Sequence, residues 1–516
     1  MPTLNWIGKE AVVNHDKEVP FRLLKKVKTH SVGDSQNLII KGDNLEGLKA
    51  LMPYYIGKIK VVCIDPPYNT GFEGWKYSDN VNSPKIKKWL GKVVGSEGQD
   101  LCRHDKWLCM MYPRLKLIKE LLSDEGVIFI NIDDNEQANL KLLMDEIFGE
   151  ENYKHFVWKK KGGAGNTEKI IGTLTEHIIC YFKKKSQKPF NYRTIERQYK
   201  YSDEKGPYNL EGIEKTNMGA YERKTMLFLI VNPKTKEKFY PKKNMRWTAG
   251  EDTIKRLIKE NKIFFDEKKK RVYVIKRPED YDASENVYYN LLLEYGSLST
   301  AKNELQNLDF DREMFDTPKP IDLIKQLLKI SSDKDSIVLD SFAGSGTTGH
   351  AVLDLNKEDG GNRKFILIEM EDDIAKKITA ERIKRAIEKY DYKTKEGKKE
   401  GFEYCELDKP LFDENGQIEE TCEFNQFATY IYFTETQTNI DKKQIDKNFI
   451  GESGETEYYL IYKEKYKNVL DKNSLGKLKK TKNKKVVYAD FCMIDEDILK
   501  LHNIQFKQIP YEVKVY

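Results

Sequence analysis

The sequence predicts an α/β protein built on a parallel sheet, and three observations carry that prediction. Short apolar runs of strand length alternate with stretches of helical apolar spacing. One run, Ile59 to Ile64, breaks at Asp65-Pro66-Pro67-Tyr68. Another, Ser336 to Asp340, enters the turn Phe342-Ala343-Gly344-Ser345-Gly346-Thr347-Thr348-Gly349. In open parallel sheets ligands bind just beyond the carboxyl ends of strands, so both breaks fall where chemistry is expected.

Taken in order, residues 1–35 are polar with a few aromatics and read as an extended arm packing on the body. Asn37 to Ile40 reads as a strand, followed by Gly42-Asp43-Asn44 and a helix carrying Leu45, Leu48 and Leu51. Asp43 stands at the strand's end and the helix's start, so it is either an N-cap or a contact to a ligand. Residues 69–105 form a long loop with a helix in it, of the kind that serves as a lid. Trp107 to Leu122 has helical spacing, Val127 to Ile132 is a strand, Asn135 to Phe148 a helix and Thr175 to Phe182 a strand. The first half of the catalytic body thus spans 36–183.

From 184 to 312 the periodicity weakens and basic and aromatic residues interleave, with Asn232-Pro233-Lys234-Thr235 as a hairpin turn. Arg193, Arg223, Lys224, Arg246 and Trp247 are the candidates here for phosphate and base contacts. The plainer reading is a basic, solvated insertion. The body resumes over 313–390 with Thr317-Pro318-Lys319-Pro320, a helix from Ile321, the strand and glycine turn, and the strand Phe365 to Ile368 ending at Glu369. Residues 391–516 read as a small α/β domain for association or partner contact, with Thr429 to Phe433, Tyr458 to Tyr462 and Val486 to Tyr488 as strands.

Bulk properties narrow the class. A chain of 516 residues exceeds one hydrophobic core. A net charge of +6 permits nucleic acid binding without requiring it. Seven cysteines stand singly and seven histidines are dispersed, which argues for a reducing compartment and against a metal site. No apolar run reaches the length of a membrane span, so a cytoplasmic protein is expected.

The two motifs suggest a reaction. An exocyclic amine on a nucleobase is a poor nucleophile because its lone pair is delocalised into the ring. Asp65 can accept one amine hydrogen and the Pro66 carbonyl, flanked by Pro67, the other. Tyr68 offers a face on which a base taken out of its duplex can stack. The pattern Gly344-x-Gly346-x-x-Gly349, with Glu369 about 20 residues further on, indicates an adenosine-bearing cofactor. Phe342 before the glycines, and Thr347 and Thr348 at a helix start, favour S-adenosylmethionine over NAD. A solvated Asp-Pro-Pro turn is the plain alternative for the first motif.

Asp65-Pro66-Pro67-Tyr68 upstream, Phe342-Ala343-Gly344-Ser345-Gly346 downstream and a basic insertion between resemble the β-class DNA amino-methyltransferases. More narrowly, Asn5 to Lys9, Asp65 to Gly71, Thr317 to Pro320 and Phe506 to Tyr511 resemble the modification (Mod) subunits of Type III restriction–modification systems. The resemblance implies a Rossmann-like S-adenosylmethionine-dependent sheet with circularly permuted motif order and an inserted target-recognition domain. It implies that Asp65, Pro66, Pro67 and Tyr68 hold a flipped adenine. Asp340, Phe342, Gly344, Gly346, Thr347, Thr348 and Glu369 would then hold the cofactor, with Asp43 on its adenine side and Lys319 near its methionine end. It further implies double-stranded DNA as substrate, a homodimer, a helicase-nuclease restriction subunit as partner and a bacterial, nucleoid-associated location. Asp340-Ser341-Phe342 departs from the family's usual Asp-Pro-Phe. The rival readings are cytosine-N4 methylation, an inactive DNA-recognition subunit and an NAD-dependent dehydrogenase.

Overall fold

The structure, a computed structural model, describes residues 4–33, 36–70, 103–163, 171–184, 190–193, 197–219, 222–281, 287–412, 422–436, 438–440, 445–463 and 467–509. The expected lid over 69–105 lies mostly outside the described residues, as do Pro510 and Tyr511 of the closing motif. The chain divides into two compact units, residues 1–191 with 289–516, and residues 192–288.

The larger unit is organised by a ten-stranded sheet. In chain order its strands are β1 (Arg22–Lys26), β2 (Leu38–Lys41), β3 (Ile59–Ile64), β4 (Leu122–Ile132), β5 (Tyr153–Lys159), β6 (Thr175–Phe182), β7 (Leu291–Leu292), β8 (Ile337–Asp340), β9 (Lys364–Glu369) and β10 (Glu403–Pro410). Their order across the sheet is β1-β10-β2-β9-β8-β3-β4-β6-β5-β7. The six strands from β10 to β4 are parallel. The fully parallel sheet expected from the alternation gives way to a mixed one, because β6 runs antiparallel to both β4 and β5, and β1 antiparallel to β10.

Alternation along the strands separates two helical layers. Ile366 and Ile368 of β9 join the core that includes Leu48, Leu115 and Leu143, from the helices Asn44–Tyr55, Arg103–Leu121 and Gln137–Phe148. Leu367 between them points the other way, where a Cβ on Gly349 of the helix Thr347–Asp359 would come within 3.0 Å of it. That third glycine of the turn allows close helix–strand packing.

Both ends of the chain are woven into the central sheet. The arm of residues 1–35 contributes the edge strand β1, and the strand β10, from the segment read as a separate C-terminal domain, enters the central sheet beside β2. Thr429 to Phe433, read as a strand from its β-branched and aromatic content, lies in the helix Phe424–Thr436. Phe427 with Ile431, and Ala428 with Tyr432, form a buried stripe of helical period against Ile450, Tyr458 and Val486. Packing overrides local propensity there. Strands Phe449–Ser453, Thr456–Leu460, Lys484–Ala489 and Ile504–Gln508 complete a small sheet. No described helix is long and apolar enough to cross a membrane.

The smaller unit, narrower than the 184–312 stretch marked by composition, has a four-stranded antiparallel sheet, in spatial order Ile263–Asp266, Arg271–Lys276, Gly206–Gly212 and Tyr201–Asp203. The expected hairpin joins Ile230–Val231 to Lys238–Phe239. Its core gathers Ile213, Phe239, Trp247, Ile254 and Val272.

Leu339 of β8 is fully buried at the centre of the larger sheet. Leu339→Ala is expected to destabilise that unit by about 2–5 kcal/mol, read as a lower melting temperature with unchanged far-UV circular dichroism at low temperature.

Candidate active site

The two motifs meet because their strands are neighbours: Val61 and Val62 of β3 pair in parallel with Val338 and Leu339 of β8. From β3 the chain proceeds to β4 on one side, and from β8 to β9 on the other. The sheet therefore changes direction between them, which opens a crevice at the carboxyl ends. A cavity of about 620 Å³ lies there, lined by Asp65 to Tyr68 from one motif and by Phe342 to Ser345 from the other. Lys319, Asp340, Thr347, Thr348 and Glu369 also line it.

Backbone conformation explains the glycines. Gly344 and Gly346 have φ of 48° and 76°, a left-handed region that L side chains rarely adopt. A Cβ on Gly344 would come within 3.1 Å of the Phe315 ring, and one on Gly346 within 3.2 Å of the Thr379 carbonyl. The turn is tied down from several sides. Glu369 Oε2 accepts from the Gly344 N–H at 2.8 Å, and Thr379 Oγ1 donates to the Gly344 carbonyl at 2.6 Å. Arg382, fully buried, donates to Ser345 Oγ at 3.0 Å and to Thr347 Oγ1 at 2.8 Å. Burial brings the Arg382 guanidinium down to about 10, still a cation at neutral pH.

Asp340 accepts from the Phe342 N–H at 3.0 Å and from Thr348 Oγ1 at 2.6 Å. Burial pushes its carboxyl up to about 7. Thr347 Oγ1 donates to the Lys319 carbonyl at 3.0 Å. Both threonine hydroxyls expected to meet a ligand are thus engaged in shaping the turn. Burial likewise raises the Glu369 carboxyl above its ordinary value.

On the other side of the cavity, Asp65 keeps 28% of its side chain exposed. Tyr68 Oη donates to Asp65 Oδ1 at 2.8 Å, and Lys319 Nζ to Asp65 Oδ2 at 2.7 Å. The ammonium also lies 5.1 Å from the centre of the Tyr68 ring. Glu176, at the start of β6, brings Oε2 to 3.1 Å from Tyr68 Oη and 3.6 Å from Lys319 Nζ. Its other oxygen accepts from Lys160 Nζ at 3.1 Å. Burial raises the Asp65 carboxyl, partly offset by Lys319 and reinforced by Glu176. Burial opposes the Lys319 charge, yet Asp65 and Glu176 together hold the ammonium above its ordinary value. Asn131, also in the lining, donates to the Ile64 carbonyl at 3.3 Å while its buried Oδ1 has no partner among the described residues.

Other expected site residues lie elsewhere. Asp43 does not line the cavity: it caps the helix Asn44–Tyr55 through the N–H groups of Leu45 and Glu46, and pairs with Arg114 at 3.1 Å. Trp247, expected against DNA, is 1% exposed, with its indole N–H bonded to the Phe228 carbonyl, so it serves the core of its unit. Arg246 is buried beside it, whereas Arg193, Arg223 and Lys224 are exposed. Glu176, Lys160, Thr379 and Arg382 escaped the sequence reading. For Glu176 the signal was a carboxylate at the head of the apolar run Ile178 to Phe182.

The geometry can be set beside known proteins. The DNA methylase family matches residues 59–381, a span that contains both motifs. The StyLTI Mod subunit, a Type III restriction–modification enzyme of Salmonella typhimurium (strain LT2), is 36% identical over 358 residues, 65% of this chain and 52% of that protein. The EcoPI Mod subunit of Escherichia phage P1 is 34% identical over 422 residues, covering 72% of this chain and 64% of its own. The EcoP15I Mod subunit of Escherichia coli is 30% identical over 509 residues, covering 84% and 75%. The match thus spans about half the length of the first relative and under two thirds of the second. With both motifs on one crevice and the family match running through them, the chain belongs to the DNA methylase family.

Proposed function

We propose that the chain is a site-specific DNA methyltransferase that modifies N6 of an adenine drawn out of its duplex, with S-adenosylmethionine as methyl donor. The observation that carries this reading is one cavity lined both by Asp65-Pro66-Pro67-Tyr68 and by Phe342-Ala343-Gly344-Ser345. The residues fit the donor. Gly344 presents bare backbone to the cavity, the lining Asn131 oxygen lacks a hydrogen to accept among the described residues, and the Glu369 carboxylate stands in the same lining. S-adenosylmethionine bound there supplies a methyl group on a sulfonium, an electrophile that needs an aligned nucleophile.

The protein's part is alignment and hydrogen-bond acceptance. Asp65 accepts one hydrogen of the base's amine and the Pro66 carbonyl the other, which turns the nitrogen lone pair out of the ring. The Tyr68 face holds the base flat. Phe342, Gly344 and Glu369 hold the cofactor, while Gly346, which does not line the cavity, joins Asp340, Thr347 and Thr348 in keeping the turn in shape. Lys319 spans the two motifs, and Asp43 acts through the helix that it caps. Arg193, Arg223 and Lys224 meet phosphates. The Mod relatives favour a Type III modification subunit, with a restriction subunit and a second copy of the chain as partners.

Three outcomes are expected. Asp65→Ala lowers methyl incorporation about 10²-fold or more in a tritiated-methyl assay and leaves DNA binding within about twofold; turnover near wild type refutes the role of Asp65. Because burial raises the Asp65 carboxyl and the ionised form is the acceptor, the rate falls as pH drops through a value above the roughly 3.9 of a solvated aspartate, seen in a pH–rate profile. Single-molecule sequencing of DNA from cells expressing the chain returns N6-methyladenine at one recurring motif; N4-methylcytosine there would replace adenine by cytosine as the target.

A further inference from the structure

The Tyr68 hydroxyl has one hydrogen and two carboxylate oxygens within reach, Asp65 Oδ1 at 2.8 Å and Glu176 Oε2 at 3.1 Å. Lys319 is shared in the same way, at 2.7 Å from Asp65 Oδ2 and 3.6 Å from Glu176 Oε2. In this arrangement both oxygens of Asp65 are already hydrogen-bonded, one to Tyr68 and one to Lys319. An amine hydrogen arriving at Asp65 must compete with them. Glu176 is placed to relieve that competition. It is 4% exposed, its far oxygen is held by Lys160, and its near oxygen faces the two groups that occupy Asp65.

We infer that Glu176 is a positioning residue for methyl transfer, accepting the Tyr68 hydroxyl hydrogen when Asp65 turns to the amine of the substrate. The inference rests on the methyltransferase reading above. The exchange moves no covalent bond: the hydroxyl rotates from one carboxylate to the other, and Lys319 stays between them. The freed Oδ1 of Asp65 then takes the amine hydrogen. That proton passes to Asp65 as the new nitrogen–carbon bond forms and the sulfur–carbon bond breaks, with the sulfur keeping the electron pair. A neutral amide at 176 keeps the shape and weakens the alternative acceptor.

The charges facing Asp65 give the experiment a second readout. They are Lys319 and Glu176, with the neutral Tyr68 hydroxyl beside them and Asp340 further off on β8. Burial is the main cause of the raised Asp65 carboxyl, and Glu176 adds to it, so removing that negative charge lowers the Asp65 value. The acid limb of the rate profile then moves to lower pH.

The test compares wild type, Glu176→Gln, Tyr68→Phe and the double variant on unmethylated bacterial genomic DNA with tritiated S-adenosylmethionine. Glu176→Gln is expected to lower kcat by roughly 10- to 100-fold. The KM for S-adenosylmethionine stays within about twofold and the acid limb shifts to lower pH. The double variant loses no more than Tyr68→Phe alone, since both act on one hydrogen bond. Wild-type kcat in Glu176→Gln, an unmoved acid limb, or losses that multiply in the double variant overturn the inference. Should Glu176→Gln melt early, Glu176→Asp keeps the charge on a shorter arm. It is expected to show a lowered kcat with the wild-type acid limb, and a shifted limb overturns the inference. A wild-type chain that transfers no methyl at any pH overturns the methyltransferase reading itself, which separates the two failures.

Discussion

The parallel pairing of Val61 and Val62 with Val338 and Leu339 is the constraint on which the rest depends. These residues come from distant parts of the chain and are buried on both faces of the sheet. Their pairing fixes where Asp65 and Asp340 emerge, and a slip of one residue would turn every side chain of one strand to the opposite face. The crevice follows from this contact, and the helices on either side follow from the alternation of the neighbouring strands.

Charge within the crevice is costly to hold. Two carboxylates, Asp65 and Glu176, and two ammonium groups, Lys319 and Lys160, stand within hydrogen-bonding or ion-pair distance of a partner, with Glu176 and Lys319 almost wholly buried. Buried ion pairs of this kind seldom add stability over apolar packing, because desolvation offsets the attraction. Their use lies in fixing positions. Arg382 plays a comparable part on the other side, where a fully buried guanidinium holds the glycine turn through Ser345 and Thr347.

Much of this was legible in the sequence, for stated physical reasons. The β3 and β8 motifs were visible because apolar runs ended abruptly in residues that cannot continue a strand: two prolines after Asp65, and glycines after Phe342. The helix from Ile321 was readable from local spacing, whereas capping chemistry offered the cap at Asp43 only as one of two readings, the other being the cofactor contact. What stayed hidden was decided by distant partners. Glu176 acquires meaning only beside Lys319 and Tyr68, and Trp247 looked like a ligand-facing aromatic until its neighbours Phe239 and Val272 were known. The helix Phe424–Thr436 has strand-forming residues whose conformation is set by the sheet beneath them. The antiparallel course of β6 and β5 left no mark on composition at all.

The placement of β10 has a consequence for how such chains can be rearranged. It sits between β1 and β2, so residues late in the chain fill a slot inside the sheet that residues early in the chain frame. A gene fusion or exchange joined near residue 391 would withdraw that strand and bare the hydrogen-bonding edge of β2, a template for aggregation. The C-terminal portion is therefore not a detachable module, and a viable recombinant must carry the β10 segment with the body whatever it replaces beyond.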